Sequence, residues 1–434
     1  IRRPPRSTQS RSSAASDVYK RQVLVNKNMV KKTANNLLAY YKTQGYFESS
    51  VNTVINKFNT KKKAAVSYYI KSGKPIHLDT ISIKIDSKVL DSIYKNSSIV
   101  SLLKKGNQYK NQTFIDEAKQ VIKLYRNNGI YHFTENYLGF YVDSSRIDYK
   151  TNVDFIISGN RLVEKNGSYL NKPFKVQKIK NIDIVTDYSF ARKGEKYKDT
   201  ISYRGINFIA YDKVKYNPKY LSESIFLKPG NIYKDTLRNL TRNHLKTLKN
   251  FKSTSIKFEE LNDDELKMNI LLSPIEKYTL GLETELTHSN IRNIGTSAKF
   301  SVTNRNTFKG AELLKISLLG SWFNSNNGPG WEIGADATIE LPRFLAPFGL
   351  SKFVSKEMSP RTLFSLGTSV QKNIGLDRQT FTLFTDYKWR FNTYKTIQLE
   401  IFNTQYIQNQ NINKYFNVYS SEFTNLTKLS LIHI

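Results

Sequence analysis

The last third of the chain alternates apolar and polar residues with a period of two. Residues 278–287 place Tyr and Leu side chains opposite Thr, Gly and Glu, and residues 331–341 alternate six apolar residues with Glu, Gly, Asp and Thr. This alternation predicts strands with one apolar and one polar face. About ten such residues are enough for one bilayer crossing by a strand. Seven strands are predicted, with apolar positions in 278–286, 298–302, 314–318, 331–341, 364–370, 381–391 and 397–401.

A soluble β-sandwich alternates in the same way, so the pattern by itself leaves both architectures open. Aromatic residues at strand ends and in adjoining loops favour a membrane barrel, in which they form a girdle at each interface. Seven strands do not close a barrel of even strand number, and an open edge in lipid leaves backbone groups unpaired. We therefore expect only the first part of a barrel here. The girdle residues are Trp322, Phe323, Trp331, Phe344, Phe348, Trp389 and Phe391.

The region before residue 277 has a helical period and an internal repeat. Residues 37–47 and 121–131 align as two helix ends, each with Tyr-x-x-x-Gly followed by an aromatic residue within two positions. The glycines are expected in the left-handed position that ends a helix. Residues 105–110 and 229–234 share Gly-Asn-x-Tyr-Lys as a turn that opens a helix. With the flanking β-like runs, the repeated unit is strand, helix, helix, strand, strand.

This β-α-α-β-β order, with a late helix ending in Gly-aromatic, resembles the polypeptide-transport-associated (POTRA) domain. The resemblance implies the C-terminal part of one copy at 23–74, a complete copy at 75–160 and a last copy at 172–275. An insertion at 190–217 is long for the unit. Three unrelated small α+β domains remain the alternative. The predicted fold class is thus α+β with tandem POTRA domains, followed at 277–428 by the N-terminal part of a truncated transmembrane antiparallel β-barrel.

Two short motifs make the resemblance more specific. The predicted hairpin between the second and third barrel strands is similar to the Arg-Asn-x-Phe-x-Gly-Ala-Glu motif of the outer-membrane assembly superfamily that includes BamA and TamA. The connection between the fourth and fifth strands is similar to that of the TamA-like (TamL) proteins of Bacteroidota. The hairpin residues are Arg305, Asn306, Phe308, Gly310, Ala311 and Glu312. The connection residues are Pro342, Arg343, Phe344, Pro347, Phe348, Pro360 and Arg361.

The resemblance implies a protein of the bacterial outer membrane with its POTRA domains in the periplasm. Its expected partners are outer-membrane lipid, unfolded outer-membrane polypeptide clients captured by POTRA edge strands, and an inner-membrane component of the assembly module. The first barrel strand would be a seam that opens to a client strand, and Gly281 should weaken it. A two-partner-secretion transporter of the same superfamily is the alternative function. The seam residues are Tyr278, Leu280, Gly281, Leu282 and Leu286.

The composition of the chain excludes several classes of site chemistry. The 434 residues include no cysteine, which excludes disulfides and thiol chemistry, and the five histidines are scattered without a metal-binding or catalytic spacing. We therefore predict no enzyme activity, no cofactor and no metal. The formal charge of +31 keeps a basic nucleic-acid-binding protein in view as a third hypothesis. Aromatic stacking platforms interleaved with Arg are missing, so no nucleic-acid partner is expected.

The two ends differ from the rest of the chain. Residues 1–22 mix Pro, Arg and Ser without periodicity, and their last residues resemble translated sequencing-adapter read-through. Residues 429–434 resemble the same kind of non-native segment. We expect both segments to be foreign to the natural protein and the natural termini to lie elsewhere.

Overall fold

The computed structural model describes residues 25–58, 63–143, 147–159, 161–163, 169–171, 173–288, 294–325, 328–345, 354–373, 376–392 and 394–412. The chain forms two compact units. The first contains the residues up to Tyr125 together with His132–Phe174, and the second contains Arg126–Tyr131 and the residues from Lys175 onward. The predicted non-native segments at both ends lie outside the described residues.

The first unit holds a helix followed by a hairpin and then an α+β domain. The α+β domain has the predicted order β-α-α-β-β, and its sheet has the strand order β3-β5-β4, with β3 parallel and β4 antiparallel to β5. The elements are α1 (Lys27–Thr43), β1 (Ser50–Phe58), β2 (Lys63–Lys71), β3 (His77–Ile85), α2 (Lys88–Lys95), α3 (Asn111–Asn127), β4 (Leu138–Val142), β5 (Lys150–Ile157), β6 (Arg161–Val163) and β7 (Tyr169–Asn171). The last two residues of α3 belong to the second unit.

The core of the first α+β domain follows the helical stripe predicted from the sequence. Phe114, Val121 and Tyr125, spaced by seven and four residues on α3, are buried. Phe114 packs with Leu78 of β3 and Val153 of β5. Helix and sheet therefore share one apolar interface. None of the helices in the described residues is long and apolar enough to cross a membrane.

The second unit begins with another α+β domain of the same order. Its sheet has the strand order β11-β12-β8-β10-β9, in which the insertion supplies β9 and β10. Buried residues from β8, β10, β12 and the helix α5 form one continuous core. The elements are β8 (Lys178–Val185), β9 (Asp199–Tyr203), β10 (Ile206–Ala210), α4 (Pro218–Ser222), α5 (Asp235–Thr247), β11 (Phe251–Asn262) and β12 (Glu265–Pro274).

The repeated glycines adopt the predicted backbone conformation. Gly45 and Gly129 end their helices with φ of 88° and 91°, a region that side chains other than glycine rarely adopt. The third copy lacks the glycine, and Lys249 takes the left-handed conformation instead, with φ of 58°. The helix ends of the three copies are therefore alike although the third differs in sequence.

The rest of the second unit is one antiparallel sheet of seven strands paired in sequence order. The seven predicted strands are confirmed, and each extends beyond the apolar positions that indicated it, except that the sixth ends at Arg390, one residue before Phe391. They are β13 (Tyr278–Thr287), β14 (Ile294–Arg305), β15 (Leu313–Ser325), β16 (Gly328–Leu341), β17 (Arg361–Asn373), β18 (Leu376–Arg390) and β19 (Thr396–Ile412). Among the described residues, β13 and β19 are the two edges of this sheet.

Candidate functional site

The strand register places apolar and polar side chains on opposite faces of the seven-stranded sheet. Directly paired residues share a face, so each cross-strand row can be followed from edge to edge. One row is apolar except for one threonine: Leu282, Phe300, Leu318, Ala335, Thr368, Phe381 and Tyr406. A neighbouring row consists of small or polar residues: Gly281, Ser301, Ser317, Asp336, Gly367, Thr382 and Gln405.

Burial in this sheet is the reverse of that in a water-soluble sheet. On the apolar face, Leu282 is 72% exposed and Leu286 is 84% exposed. On the polar face, Ser317 is 1% exposed and Thr380 is 7% exposed. A contiguous exposed apolar face of this kind marks a surface that meets lipid or protein rather than water.

The five carboxylates that the alternation predicts on the polar face lie there: Glu283, Glu285, Glu332, Asp336 and Glu340. Glu283 pairs with Lys299 across β13 and β14, and the Lys299 ammonium is 3.9 Å from a carboxylate oxygen of Asp336. Both residues are partly exposed, so this ion pair is expected to contribute little to stability. The polar face therefore carries mixed charges that suit contact with water.

Aromatic residues lie at both ends of the strands, with one exception to the predicted girdle. Trp322 and Trp331 are directly paired next to the β15–β16 turn, and Phe344 contacts Trp389 at the opposite end with ring centroids 5.8 Å apart. Phe323 is only 2% exposed and shares the polar face, so its prediction as a girdle residue is wrong. Its position alternates with that of Trp322, and alternation sends neighbours to opposite faces. Phe348 lies outside the described residues.

The predicted seam strand β13 is an edge strand and pairs only with β14 among the described residues. Its apolar residues Tyr278, Leu280, Leu282 and Leu286 are all exposed on the apolar face. Gly281 lies on the other face, where a Cβ atom would come within 2.7 Å of the Ser301 hydroxyl. The opening of this strand to a client stays a prediction.

The hairpin between β14 and β15 is organised around the carboxylate of Glu312, which is fully buried. Its Oε2 atom accepts hydrogen bonds from the backbone N–H of Gly310 at 2.9 Å and of Phe308 at 3.2 Å. Asn306 supports the turn, because its Oδ1 atom accepts from the Ala311 N–H at 3.0 Å. The turn is strained, since Asn306 and Ala311 both have positive φ, and these bonds hold it in place.

The connection between β16 and β17 supplies the partner of this carboxylate. The Nη2 atom of Arg343 donates to Oε1 of Glu312 at 2.8 Å, and the Arg343 guanidinium lies 4.3 Å from the ring centroid of Tyr220 on α4. Thr362 fixes the arginine, because its hydroxyl donates to the Arg343 carbonyl at 2.8 Å. The structure thus joins the two sequence motifs, which the sequence predicted only separately.

The remaining connection residues surround this contact. Phe344 packs on Tyr387 with ring centroids 4.7 Å apart, and Pro360 is buried. Arg361 binds Glu340 and donates to the backbone carbonyl of Thr247. Pro342 is half-buried directly before Arg343, whereas the predicted residues Pro347 and Phe348 lie outside the described residues.

Both motifs dock on the last α+β domain, and we call this region the joint: the hairpin 305–312, the connection residues 342–345 and 360–362, and the domain residues they contact. Nδ2 of Asn250 donates to the carbonyl of Ala311 at 2.8 Å, and Ala311 belongs to the apolar core of the domain. Nδ2 of Asn306 donates to the carbonyl of Lys215 at 2.9 Å. Sequence reasoning missed Asn250, because a buried Asn after a helix has no motif of its own.

Arg305 ties the start of the seam strand to the same joint. Its Nη1 atom donates to the Thr279 hydroxyl at 2.6 Å and to the carbonyl of Glu276 at 3.3 Å, while its Nε atom donates to the Lys249 carbonyl at 3.3 Å. One side chain therefore contacts the last domain, the linker and β13.

Two titratable groups at the joint have shifted pKa values. Burial raises the pKa of Glu312, but hydrogen bonds from Arg343 and from backbone N–H groups outweigh it and hold the pKa below its usual value. Burial, with the nearby Arg361 charge, lowers the pKa of His244 to about 4. Nδ1 of His244 is 3.0 Å from the Ser224 hydroxyl, which gives the neutral ring a hydrogen-bond partner.

No group of three or more His, Asp or Glu residues within the described part of the chain could hold a metal ion. The joint contains the buried ring of His244, which lies beside the Ser224 hydroxyl and the ring of Phe226. What this arrangement does is hold the hairpin and the connection against the last α+β domain through hydrogen bonds and an ion pair.

Comparison with known proteins found similarity only among solved structures. No family model and no curated protein matches the sequence. BamA from Haemophilus ducreyi lacking POTRA domains 1–3 is 11% identical, with a TM-score of 0.42, over 77% of this chain and 58% of that chain. POTRA3–5 of Haemophilus influenzae BamA is 12% identical, with a TM-score of 0.31, over 61% of this chain and 91% of that one. CdiB from Acinetobacter baumannii is 8% identical, with a TM-score of 0.27, over 87% of this chain and 65% of that one.

Proposed function

We propose that this chain belongs to an outer-membrane protein that assembles or translocates other outer-membrane polypeptides, in the superfamily of BamA and TamA. The observation that best supports this proposal is the reversed burial of the seven-stranded sheet, with exposed leucines on one face and buried serines on the other. The α+β domains would lie in the periplasm and the sheet in the outer membrane. The hairpin motif and the connection motif favour the TamA-like branch.

Lipid is the environment in which this sheet is stable. Burying apolar surface contributes roughly 25 cal/mol for each Å² removed from water, and in water the exposed face gains none of this. Strands in lipid must also satisfy their backbone groups through neighbouring strands, as the continuous antiparallel pairing from β13 to β19 does. Membrane insertion therefore accounts for both the exposed face and the pairing.

Client capture is assigned to the free strand edges of the α+β domains. In the first unit, β3 and β4 are the edges of a three-stranded sheet, and in the last domain β11 is an edge of twelve residues. An edge strand offers backbone N–H and C=O groups to an extended chain with little dependence on its sequence. This mode of binding suits many unfolded clients.

Insertion is assigned to the seam strand. Within the described ranges, β13 is an edge strand whose outer backbone ladder is unpaired and lies next to an exposed apolar face. A client strand that paired there would place its own apolar face in lipid. Arg305 holds the start of this strand against the last domain, so a client bound to the domain would be delivered close to the seam.

The membrane assignment is tested by flotation of the full chain with phosphatidylcholine vesicles. Leu366 lies on the apolar face and Ser369, on the same strand, on the polar face. We expect Leu366→Arg to reduce the bound fraction strongly and Ser369→Arg to leave it nearly unchanged, because arginine in hydrocarbon costs about 2–4 kcal/mol at the midplane of the bilayer. A chain that stays monodisperse without amphiphile and does not float would refute the proposal.

The seam is tested by photo-cross-linking in cells that synthesise an outer-membrane client. We expect labelling of the client from a probe at Leu280 or Leu282 and much less from a matched probe at Ile333, which lies mid-sheet on the same face. Equal labelling from the β13 probes and from Ile333 would refute the assignment of β13 as the strand that receives the client. Labelling by a single dedicated client along the polar face would instead support the secretion-transporter alternative.

A further inference from the structure

The insertion in the last α+β domain builds a new sheet edge. β10 pairs in parallel with β8, and β9 pairs with β10, so β9 becomes the outermost strand on that side. In the first unit the corresponding first strand, β3, is itself an edge. The insertion has therefore covered one edge and replaced it with another of different sequence.

This edge is built into the sheet rather than carried on a loose arm. The β9–β10 turn consists of Arg204 and Gly205, both with positive φ, as a tight two-residue hairpin requires. A chain of side-chain contacts then crosses four strands. Ser202 donates to Asn207 at 2.7 Å, Asn207 donates to Asp183 at 2.8 Å, and the Lys267 ammonium is 2.9 Å from Asp183.

Among the described residues no strand pairs with the outer side of β9, and the helix that lies close to it is the short α4. Tyr203 and Ile206 are the first residues paired after the turn, so the N–H of Tyr203 points towards β10. Successive N–H groups of a strand point to alternate sides, and Thr200, three residues before Tyr203, therefore directs its N–H away from β10. Thr200, Ile201 and Ser202 are all exposed. Ile201 pairs with the buried Phe208 yet remains 40% exposed, because no strand in the described part of the chain covers its outer side. An added strand with an apolar residue beside Ile201 would complete this part of the core.

The insertion that forms this edge carries an excess of positive charge. The insertion 190–217 contains seven Lys or Arg residues and three carboxylates. All three carboxylates are engaged within it: Glu195 and Asp212 bind Arg192, and Asp199 accepts the Val214 N–H at 2.8 Å. Four exposed lysines make no ion pair with any residue the structure describes: Lys193, Lys196, Lys213 and Lys215.

We infer that the β9 edge is a docking site for an extended acidic segment of a partner protein, which adds to the sheet as a sixth strand. Backbone pairing supplies the binding, apolar residues at alternate positions cover Ile201, and carboxylates meet the free lysines. This surface goes beyond the proposed function, because membrane insertion of clients does not require an acidic partner.

The test uses the detergent-solubilised full chain and a fluorescent eight-residue peptide in which Val alternates with Asp. We expect the anisotropy to report binding that weakens as salt is raised, and at least tenfold weaker binding for the same peptide with Lys in place of Asp. Thr200→Pro removes the outward N–H and should weaken binding at least tenfold. Thr200→Val keeps that N–H and should bind like the wild type.

A second measurement keeps the inference testable should Thr200→Pro disturb the domain. Because the chain contains no cysteine, Ile201→Cys provides a unique thiol for disulfide capture of a peptide that carries one cysteine. We expect capture at position 201 and none at Lys119→Cys, which is also exposed but lies on helix α3 and offers no strand edge. Equal binding of both peptides, unchanged binding by Thr200→Pro, or capture at both positions would overturn the inference while leaving vesicle flotation unaffected.

Discussion

The carboxylate of Glu312 and the guanidinium of Arg343 form an ion pair of 2.8 Å between two turns of the sheet, with the carboxylate fully buried. The two residues lie 31 positions apart, on the β14–β15 hairpin and on the chain that follows β16. Together they seat the sheet on the last α+β domain through Ala311 and Tyr220. The last α+β domain and the seven-stranded sheet are thereby held together within the second unit.

Loss of this pair should destabilise the joint. Glu312→Gln keeps the shape but leaves the Arg343 charge without its partner in a mostly buried site, so we expect a cost of about 3 kcal/mol in the free energy of unfolding. Urea titration in detergent can be followed by tryptophan fluorescence, because the three tryptophans, Trp322, Trp331 and Trp389, all lie in the sheet.

The exposed ion pair between Lys356 and Glu223, also 2.8 Å long, is the matched control. Lys356→Ala should cost less than about 1 kcal/mol, because water screens an exposed pair. Equal costs for the two substitutions would show that burial of Glu312 is not what makes its pair important.

The buried ring of His244 should make stability depend on pH. Its folded pKa of about 4 lies below the usual histidine pKa of 6.5, so between these values the unfolded chain binds a proton that the folded chain does not. Stability contributed by the neutral ring is therefore present above pH 6.5 and lost as the pH falls towards 4, by at most about 1.4 kcal/mol per pH unit. The measurement is the urea midpoint at a series of pH values.

A variant without the titrating ring separates this effect from the carboxylates. His244→Gln should flatten the dependence between pH 6.5 and 4 while leaving a further loss at lower pH. That loss comes from groups such as Glu312 and Asp235, whose pKa values are held below their usual values, so their stabilisation disappears only as they become protonated. An unchanged slope in His244→Gln would assign the pH dependence elsewhere.

The glycine at the end of α3 should tolerate substitution far less than another glycine of similar φ. A Cβ at Gly129 would lie 2.7 Å from a methyl group of Val176 and 3.2 Å from the backbone nitrogen of Gln177. Gly230 has φ of 84° and nothing within 4 Å. Gly129→Ala should therefore cost about 2 kcal/mol more than Gly230→Ala, as overpacking adds to the same backbone strain. Circular dichroism during urea titration measures both.

The side chain of Asn250 should contribute to the stability of the joint, although the residue belongs to no sequence motif. Its amide donates to the carbonyls of Leu248 and Ala311, and the side chain is 1% exposed. Asn250→Ala should cost about 1–3 kcal/mol, because both buried carbonyls lose a donor. Asn262→Ala, at an exposed site where the amide donates to Glu265, should be nearly neutral. Similar costs for both would refute a special role of Asn250 in the joint.

Much of the architecture could be predicted because its signals are local. The alternation in 331–341 forces one face of β16 to be apolar wherever the strand lies, since successive side chains point to opposite sides. The same rule shows why Phe323 fails as a girdle residue beside Trp322. The Tyr-x-x-x-Gly spacing likewise predicts a helix end, because only the backbone of a few consecutive residues is involved.

The sequence by itself determined the strands, their two faces, the α+β repeat and the presence of an insertion. Only the tertiary structure decided that the polar face of the sheet is the covered one and that Glu312 meets Arg343. It also decided that Asn250 joins the last domain to the sheet, and that β10 of the insertion pairs in parallel with β8 and leaves β9 as the edge. Pattern and spacing act along a few residues of backbone, whereas these relationships depend on how distant segments are brought together, and the residue types alone do not specify their partners.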